Sequence, residues 1–322
     1  MLRYSVKMTC SGLLLILGLV VFTFFLIRLS PGSPGAAAFD PNRAPDLMEQ
    51  AERSWGLDQP VWRQFLNWIV DLSRGDLGRS YASGRPVTAV IGEALPNTLI
   101  LTLPALLIQV MLGLLLGVLA ARRPGSFLDR GISGLTLLLY AMPTFWLALL
   151  LLWLFSFHFG LLPSSHMASV GAETLPLLQR WADRAVHLLL PLLSMSLVAL
   201  AVTTRYVRGS MIDELEADHV TAARARGLPE RRILFRHALR NALVPVVTNT
   251  GHHFPALIGS SIVVEIIFSW PGMGRLIVLS CFARDYPVII AITFIMALFV
   301  VVGNLLADLL SAFFDPRIRL DS

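Results

Sequence analysis

Two adjacent histidines and a glutamate are the residues whose types most suggest chemistry in this sequence. His252, His253 and Glu265 are all residue types that bind zinc in proteins. Adjacent histidines on a helix point to different faces, however, and the sequence lacks the His-Glu-x-x-His spacing of metalloproteases. We therefore expect these histidines to serve helix packing or an interface, and we expect no metal site.

Nucleotide hydrolysis is the second kind of chemistry to consider, and the lysine content argues against it. A phosphate-binding loop requires Gly-x-x-x-x-Gly-Lys-Ser/Thr, whereas Lys7 is the only lysine in the chain. The chain therefore cannot carry that ATPase site itself. We expect no catalytic residue and no cofactor bound by this chain.

The composition predicts an integral membrane protein. Of the 322 residues, 55% are hydrophobic and only 15% are charged, whereas about 25% are charged in a soluble domain. The net charge is +5, but the arginines stand beside apolar segments, which favours a role in bilayer orientation over nucleic-acid binding. Cys10 and Cys281 fall on opposite sides of the predicted topology and cannot pair with each other.

Six apolar segments are long enough to cross a hydrocarbon core of about 30 Å as helices. They are approximately Gly12–Leu29, Asn97–Ala121, Gly131–Phe157, His187–Tyr206, Val246–Phe268 and Pro287–Leu310. The flanks on one side carry 14 basic residues, and the short loops on the other side carry 4. Because basic residues concentrate in cytoplasmic loops, we expect both termini and residues 207–245 to be cytoplasmic and Pro31–Pro96 to be external.

The first apolar segment has an alternative interpretation as a cleaved signal peptide, because Ala36–Ala38 offers a small-residue site. Its apolar run is longer than the usual signal-peptide core of about 7–15 residues. We expect it to be retained as a membrane helix.

The external connection contains a predicted amphipathic helix. Pro60 suits its first turn. The residues that share one helical face are Val61, Phe65, Trp68, Ile69 and Leu72. The helix could be a cap packed on the external face of the membrane or a docking surface for something arriving from outside, and the residues alone favour the cap.

The second apolar segment contains a pair of glycines at helical spacing. Gly113 and Gly117 form a Gly-x-x-x-Gly motif, and small residues at this spacing let two helices approach closely. We expect a helix-packing seam there.

Residues 207–245, called the basic segment below, include the sequence TAARARGLPERRILFRHALRNALVP. A first helix is predicted over Asp213–Arg226, with three acidic residues in its first turn, where the helix dipole favours them. Gly227 then suits the left-handed position after a helix. Pro229 and Glu230 begin a second helix.

The second helix of the basic segment has an apolar stripe and a row of arginines. The stripe consists of Phe235, Ala238, Leu239, Ala242 and Leu243. Arg232, Arg236 and Arg240 follow on the neighbouring flank, and Pro245 is expected to end the helix. A loop that only fixes orientation needs arginines but no helix–glycine–helix order, so the residues favour docking into a partner over a topology signal alone.

The basic segment resembles the cytoplasmic coupling loop of permease subunits of ABC importers, specifically the first, or B-type, permease of the dipeptide, oligopeptide and nickel branch. Ala222, Ala223 and Gly227 match the Ala-Ala and Gly positions of the family motif, whereas Thr221 stands where the motif has glutamate. This departure weakens any expectation of a salt bridge to the ATPase from that position. The ATPase-coupling residues that the resemblance implies are Thr221, Ala222, Ala223, Arg224, Gly227, Leu228, Pro229, His237 and Asn241.

The resemblance extends over nearly the whole chain. Matching stretches include LIRLSPGSP, GDLGRSY, MPTFWLALLL, EIIFSWPGMGR, RDYPV and DPRIR, in that order. One departure is Ser33, where many relatives have aspartate.

The resemblance implies an all-α integral membrane protein with six transmembrane helices, both termini cytoplasmic, and the type I ABC importer permease fold with cytoplasmic coupling helices. Its parts are an N-terminal helix at 1–30, an external helical loop at 31–96 and a five-helix core at 97–322. The implied partners are a second permease in a heterodimer, one or two ABC ATPases that hold ATP and magnesium, an external substrate-binding protein and membrane lipid, with no nucleic acid. The implied location is the inner membrane of a bacterium.

Glu265, Trp270 and Gly272 are a candidate outer gate. An ion-coupled secondary carrier is the alternative function of a different class, but it would need carboxylates deep in the bundle. Glu265 and Asp308 both lie near the ends of their predicted spans. Peptides are the expected substrate, and nickel or a metal chelate is the alternative.

Overall fold

The computed structural model describes residues 2–29 and 55–314, with the backbone alone described at 2–10, 244–245, 247–258 and 307–314. His252, His253 and the side chain of Asp308 therefore lie outside the described side chains, and Ser33 and the residues after Phe314 lie outside the described residues. Within the described part of the chain, the regular structure is helical apart from one isolated bridge between Arg79 and Pro86.

The described ranges form eleven α-helices. They are α1 (Leu2–Leu29), α2 (Val61–Ser73), α3 (Val87–Ala121), α4 (Phe127–Ala141), α5 (Thr144–Leu151), α6 (Leu177–Glu216), α7 (Asp218–Ala225), α8 (Glu230–Arg232), α9 (Leu239–Ile267), α10 (Met273–Ala283) and α11 (Tyr286–Phe314). Wider π-helical turns follow α5 at Leu152–His158 and precede α9 at Ile233–Ala238.

Within the residues that the structure describes, four helices are long and apolar enough to cross a membrane: α1 over Ser11–Leu29, α3, α6, and α11 over Tyr286–Leu306. A bent pair of helices makes a fifth if it is counted as one span. The remaining predicted span, Val246–Phe268, lies mostly within α9, where most side chains are not described. The all-helical membrane fold is confirmed, and the count of six spans and the position of the termini stay predictions.

The predicted span Gly131–Phe157 is wrong as a single straight helix. The chain bends by 104° between α4 and the helix that begins at Thr144. Met142 is extended, with ψ 127°, and Pro143 follows with ψ 141°. A proline ring clashes with a helical conformation in the residue before it and provides no N–H for the helix ladder, so the helix ends at Ala141.

The described chain divides into two compact units. The first, called the core unit, comprises Leu99–Trp270 and the residues from Val302 onward; the second, called the loop unit, comprises Leu2–Thr98 and Pro271–Val301. The predicted division at residues 30 and 96 stays a prediction.

The glycine pair in α3 forms the expected packing seam in the core unit. A methyl group built on Gly113 would lie 2.8 Å from the side chain of Thr203, and one built on Gly117 would lie 2.6 Å from that of Val207. Because real Cβ atoms do not approach so closely, only glycine lets α3 and α6 pack at this distance.

An ion pair between a buried aspartate and a half-buried arginine joins α4 to α6 in the core unit. Arg208 donates two hydrogen bonds to the carboxylate of Asp129, at 2.6 and 2.8 Å. The same carboxylate accepts a hydrogen bond from the Gly125 N–H at 2.8 Å and one from the Ser133 hydroxyl at 3.2 Å. The two-pronged geometry fixes both helices at the end of α6 that leads into the basic segment.

The loop unit contains the predicted amphipathic helix, α2, which begins after Pro60 as expected. Phe65 packs edge-on against Phe24 of α1, with ring centres 5.2 Å apart, and Trp68 packs beside it. Val61 of the predicted face is 38% exposed and the other four residues of that face are half-buried, so the packed face is narrower than predicted.

Asp285 is the polar centre of the loop unit, and its side chain is buried. Its carboxylate accepts hydrogen bonds from the Ser80 hydroxyl, the Tyr81 N–H at 2.9 Å and the Ala82 N–H at 3.3 Å. These contacts hold the turn after α2 to the start of α11. Burial raises the pKa of the Tyr81 phenol above its ordinary value, and the charge of Arg28 opposes this rise.

Candidate functional site

The first separate helix of the basic segment begins later than predicted. The predicted first helix, Asp213–Arg226, is wrong at its start, because α6 continues through Glu216 and the chain breaks at Ala217, which has ψ 149°. The acidic residues before Ala217 therefore lie in the last turn of α6. Asp218 takes the dipole-matched position in the first turn of α7 instead.

Helix α7 is held by a small apolar cluster of its own. Val220 and Ala223 of α7 and Ile233 of the following π turn are fully buried against one another. Leu215 and Leu228 pack against this cluster from the ends of the neighbouring elements. The basic segment is thus an ordered element with a core of three side chains.

Gly227 adopts the left-handed conformation that the sequence predicts, with φ +75°. Its N–H donates to the Arg224 carbonyl at 2.9 Å, and the Leu228 N–H donates to the Ala223 carbonyl at 3.3 Å. This pair of bonds, together with the contact between Leu228 and Ala223, is the Schellman motif that ends many helices. The turn is therefore specified by a glycine and closed by its own backbone.

The second helix of the basic segment differs from the prediction in its register. Glu230 begins α8 after Pro229, as expected in outline, but the chain then widens into the π turn Ile233–Ala238. Bonds in a π turn join residues five apart rather than four, so Ile233 falls in line with Ala238. Phe235 of the predicted buried stripe is consequently 54% exposed, and Ile233 and Leu234 are buried in its place.

The rest of the predicted stripe is confirmed, but the predicted end of the helix is wrong. Ala238 and Ala242 are buried, and Leu239 and Leu243 are half-buried. Helix α9 continues through Pro245 to Ile267 without a break. A proline in a helix interior removes one hydrogen bond and clashes with the preceding turn, and here the long helix tolerates it.

The predicted coupling residues surround the Schellman turn and differ in exposure. Thr221, Ala222, Arg224, Gly227 and Pro229 are exposed, whereas Ala223 is buried and Leu228 is half-buried. Arg224 forms an ion pair with Glu230 at 2.9 Å. Together these residues form a surface of small side chains that is bordered by positively charged ones.

His237 and Asn241 lie further along the same segment. His237 is half-buried, and the amide of Asn241 donates to Glu214 at 3.2 Å and lies 3.4 Å from the ring of His219. Arg232, Arg236 and Arg240 are exposed, as predicted for the flank of the stripe.

The candidate outer-gate residues divide between the two units. In the core unit, Glu265 and Trp270 are fully buried, and the Trp270 N–H donates to the Glu265 carbonyl at 2.8 Å. In the loop unit, Gly272 precedes α10 with an extended backbone. Their role as a gate stays a prediction.

Several structural residues were not found from the sequence. They are Asp129 and Arg208 in the core unit and Ser80 and Asp285 in the loop unit. The only signal for the latter pair was their position inside the GDLGRSY and RDYPV stretches. Among the described side chains, no group of three metal-ligating residues occurs.

Two family descriptions match the chain. Residues 113–320 match "Binding-protein-dependent transport system inner membrane component", and residues 1–102 match the N-terminal region of binding-protein-dependent transport system membrane components.

Curated relatives match over nearly their full length. The chain is 41% identical over 320 residues to the oligopeptide transport system permease protein AppB of Bacillus subtilis, covering 99% of this chain and 100% of the relative. It is 36% identical over 316 residues to the di/tripeptide transport system permease protein DppB of Pseudomonas aeruginosa, covering 94% of each chain.

A solved structure of the MetNI methionine ABC transporter in inward-facing conformations shares the fold. It aligns with a TM-score of 0.56 at 16% identity, covering 71% of this chain and 97% of that chain.

Proposed function

This chain belongs to the family of binding-protein-dependent transport system inner membrane components, and from that premise we propose how it takes part in transport. It is a multi-pass inner-membrane permease subunit of an ABC importer. We propose that it forms half of a translocation pathway for di- and oligopeptides, because relatives that match it end to end carry the names of peptide permeases.

The partners that we propose are a second permease, one or two ATPase subunits that bind ATP and magnesium, and an external substrate-binding protein. The chain itself contributes no phosphate-binding lysine, since its only lysine is Lys7. The basic segment would be the docking site for the ATPase on the cytoplasmic side, an orientation that agrees with the concentration of arginines there.

The observation that carries the coupling proposal is the Schellman turn at Gly227. It ends α7 so that Thr221, Ala222 and Pro229 are exposed around one small-residue turn. Apart from Gly227 itself and its two chain neighbours, no described heavy atom lies within 4 Å of the place where a Gly227 side chain would begin, so a partner can approach the backbone closely there. Meanwhile Ala223, Val220 and Ile233 fix the turn to the segment behind it. A stiff projection of this kind can transmit a nucleotide-driven movement to the membrane helices.

The test of coupling is Gly227→Val in the complete importer, reconstituted with its substrate-binding protein. Valine in a left-handed conformation costs about 1 kcal/mol or more, and its branched side chain occupies the space left for the partner. We expect normal membrane insertion and permease pairing, but loss of substrate-stimulated ATP hydrolysis and of peptide uptake.

Arg232→Lys and Arg236→Lys serve as the controls, because they keep the positive charge of the segment. We expect both to retain at least half of the wild-type uptake. Normal transport by Gly227→Val, together with mislocalised lysine variants, would mean that the basic segment only orients the chain. Uptake of nickel in place of peptides by the wild-type importer would contradict the substrate assignment alone.

A further inference from the structure

A cavity of about 560 Å³ lies within the core unit between α3, the end of α6 and the basic segment. Its apolar wall comes from α3, where Met111, Leu115 and Leu119 recur every four residues and are 61%, 53% and 37% exposed. Phe235, which the π turn leaves exposed, contributes from the other side. The cavity is therefore mainly hydrophobic and open along a membrane-crossing helix.

The rim of this cavity is cationic. Arg122 follows the last residue of α3, and Arg224 and Arg231 reach the rim from the basic segment. Glu230 is the one acidic residue among the described residues of the lining, and it is paired with Arg224. No acidic side chain among the described residues lies within ion-pair distance of Arg122 or Arg231, so the described lining leaves these two positive charges without a counter-charge.

The apolar wall and the cationic rim together define the kind of molecule that the cavity can bind. Leucine and methionine side chains in a membrane-crossing helix suit an acyl chain, whereas arginines at the end of that helix suit a phosphate group. A soluble anion would gain nothing from the apolar wall, and a neutral lipid would leave the arginines without a counter-charge. Basic pockets between transmembrane helices at the cytoplasmic surface are known to suit anionic lipid headgroups.

We propose that this cavity binds one anionic phospholipid, with its phosphate at Arg122 and Arg231 and an acyl chain along Met111, Leu115 and Leu119. Because Arg224, Glu230 and Arg231 belong to the basic segment, the lipid braces that segment against α3. The proposal that this bracing supports coupling to the ATPase rests on the proposed function, whereas the proposal that the lipid binds does not.

The test counts phosphatidylglycerol retained by the purified complete importer in native mass spectrometry, after exchange into lipid-free detergent with graded added lipid. One arginine near a membrane surface contributes a factor of about five to anionic-lipid affinity. We expect one tightly retained lipid in the wild type, and about fivefold weaker retention in each of Arg122→Gln and Arg231→Gln. Arg123→Gln is the matched control, since Arg123 is exposed beside Arg122 but does not line the cavity, and we expect less than a twofold change.

Additional arms separate the possible sources of the anion. Inorganic phosphate and glycerol 3-phosphate at millimolar concentration should not displace the lipid, and phosphatidylcholine should not replace it. Displacement by free phosphate, or an equal loss of retention in Arg123→Gln, would overturn the lipid site. So would lipid retained by the permease pair but absent from the complete importer, because the ATPase would then cover the cavity.

A functional arm keeps this proposal separate from the proposed function. In nanodiscs of phosphatidylcholine alone, we expect peptide-stimulated ATP hydrolysis to fall at least twofold and to recover with phosphatidylglycerol in the wild type but not in Arg122→Gln. Recovery in Arg122→Gln equal to that of the wild type would overturn the bracing role. Absence of peptide stimulation in every lipid would instead contradict the peptide-importer assignment, and the lipid count would still decide the binding site.

Discussion

The loop unit and the basic segment hold their turns by different means. In the loop unit, a buried carboxylate at Asp285 binds a turn about 200 residues earlier in the chain, at Ser80 to Ala82. In the basic segment, the Arg224 side chain donates to Glu230 and to the Leu215 carbonyl, and the Gly227 turn is closed by its own backbone. Long-range buried contacts suit a region that must keep its shape, whereas local contacts leave the surface of a docking element free for a partner.

The comparison predicts the largest loss of stability for Asp285→Ala. The substitution leaves the buried Ser80 hydroxyl and the part-buried Tyr81 and Ala82 N–H groups without their acceptor. An unmet buried group costs about 1–3 kcal/mol, and a group that water can reach costs less. We expect a total cost of about 3 kcal/mol, measured as a fall in the thermal midpoint of the detergent-purified importer. Asp76→Ala is the control, because Asp76 is exposed and accepts one hydrogen bond from Gly78. An equal fall in the thermal midpoint of Asp76→Ala would mean that the buried contacts of Asp285 add no stability beyond those of an exposed aspartate.

A smaller and local effect is expected for Ile233→Ala, which empties the centre of the three-residue cluster. Removing a buried isoleucine to alanine costs about 2 kcal/mol at the lower end of observed values. Amide hydrogen exchange in α7 should therefore accelerate about thirtyfold, while exchange around Asp285 stays unchanged. Phe235→Ala is the matched control two residues later, because Phe235 is exposed. If Phe235→Ala accelerated exchange as strongly, the π-turn register would be wrong.

The smallest effects are expected for two glycine-to-alanine changes, and they should have opposite signs. Neither Gly227 nor Gly209 has a heavy atom near the place where a methyl group would be added. Gly227→Ala places a side chain at φ +75° and should cost about 1 kcal/mol. Gly209→Ala lies in the interior of α6 and should stabilise that helix by about 0.5–1 kcal/mol. Local hydrogen exchange measures both, and equal signs would contradict the left-handed conformation of Gly227.

The sequence predicted features that depend on neighbouring residues. Gly227 was assigned its left-handed position because a helix, a glycine and a proline follow one another, and the Gly113–Gly117 seam followed from spacing alone. The start of α2 after Pro60 was predicted in the same way. Each of these features is determined by residues that lie close together in the chain, so it can be predicted from a single sequence.

Features that depend on a distant partner were missed or misplaced. No sequence feature near Asp285 indicates that its carboxylate accepts a hydrogen bond from Ser80. Likewise, no feature near Arg208 indicates that it forms an ion pair with Asp129. The π turn at Ile233–Ala238 was also missed, because its one-residue shift places Ile233 in the cluster with Val220 and Ala223, which a regular helical period cannot anticipate. The break at Met142 had a local signal in Pro143, but the apolar run on both sides outweighed it.

The π turn also gives the basic segment an unusual tolerance of chain length. Within a regular helix, losing one residue turns everything beyond it by about 100°. Here Glu230–Ala238 runs into α9 without interruption, and the wider turn holds one residue more than an α-helical turn. Deleting one residue from the π turn would therefore restore a regular helix with nearly the same total rotation, and Gly227 would keep its direction around the axis of α9. The π turn is thus a place where this helix can lose a residue without turning the proposed docking surface.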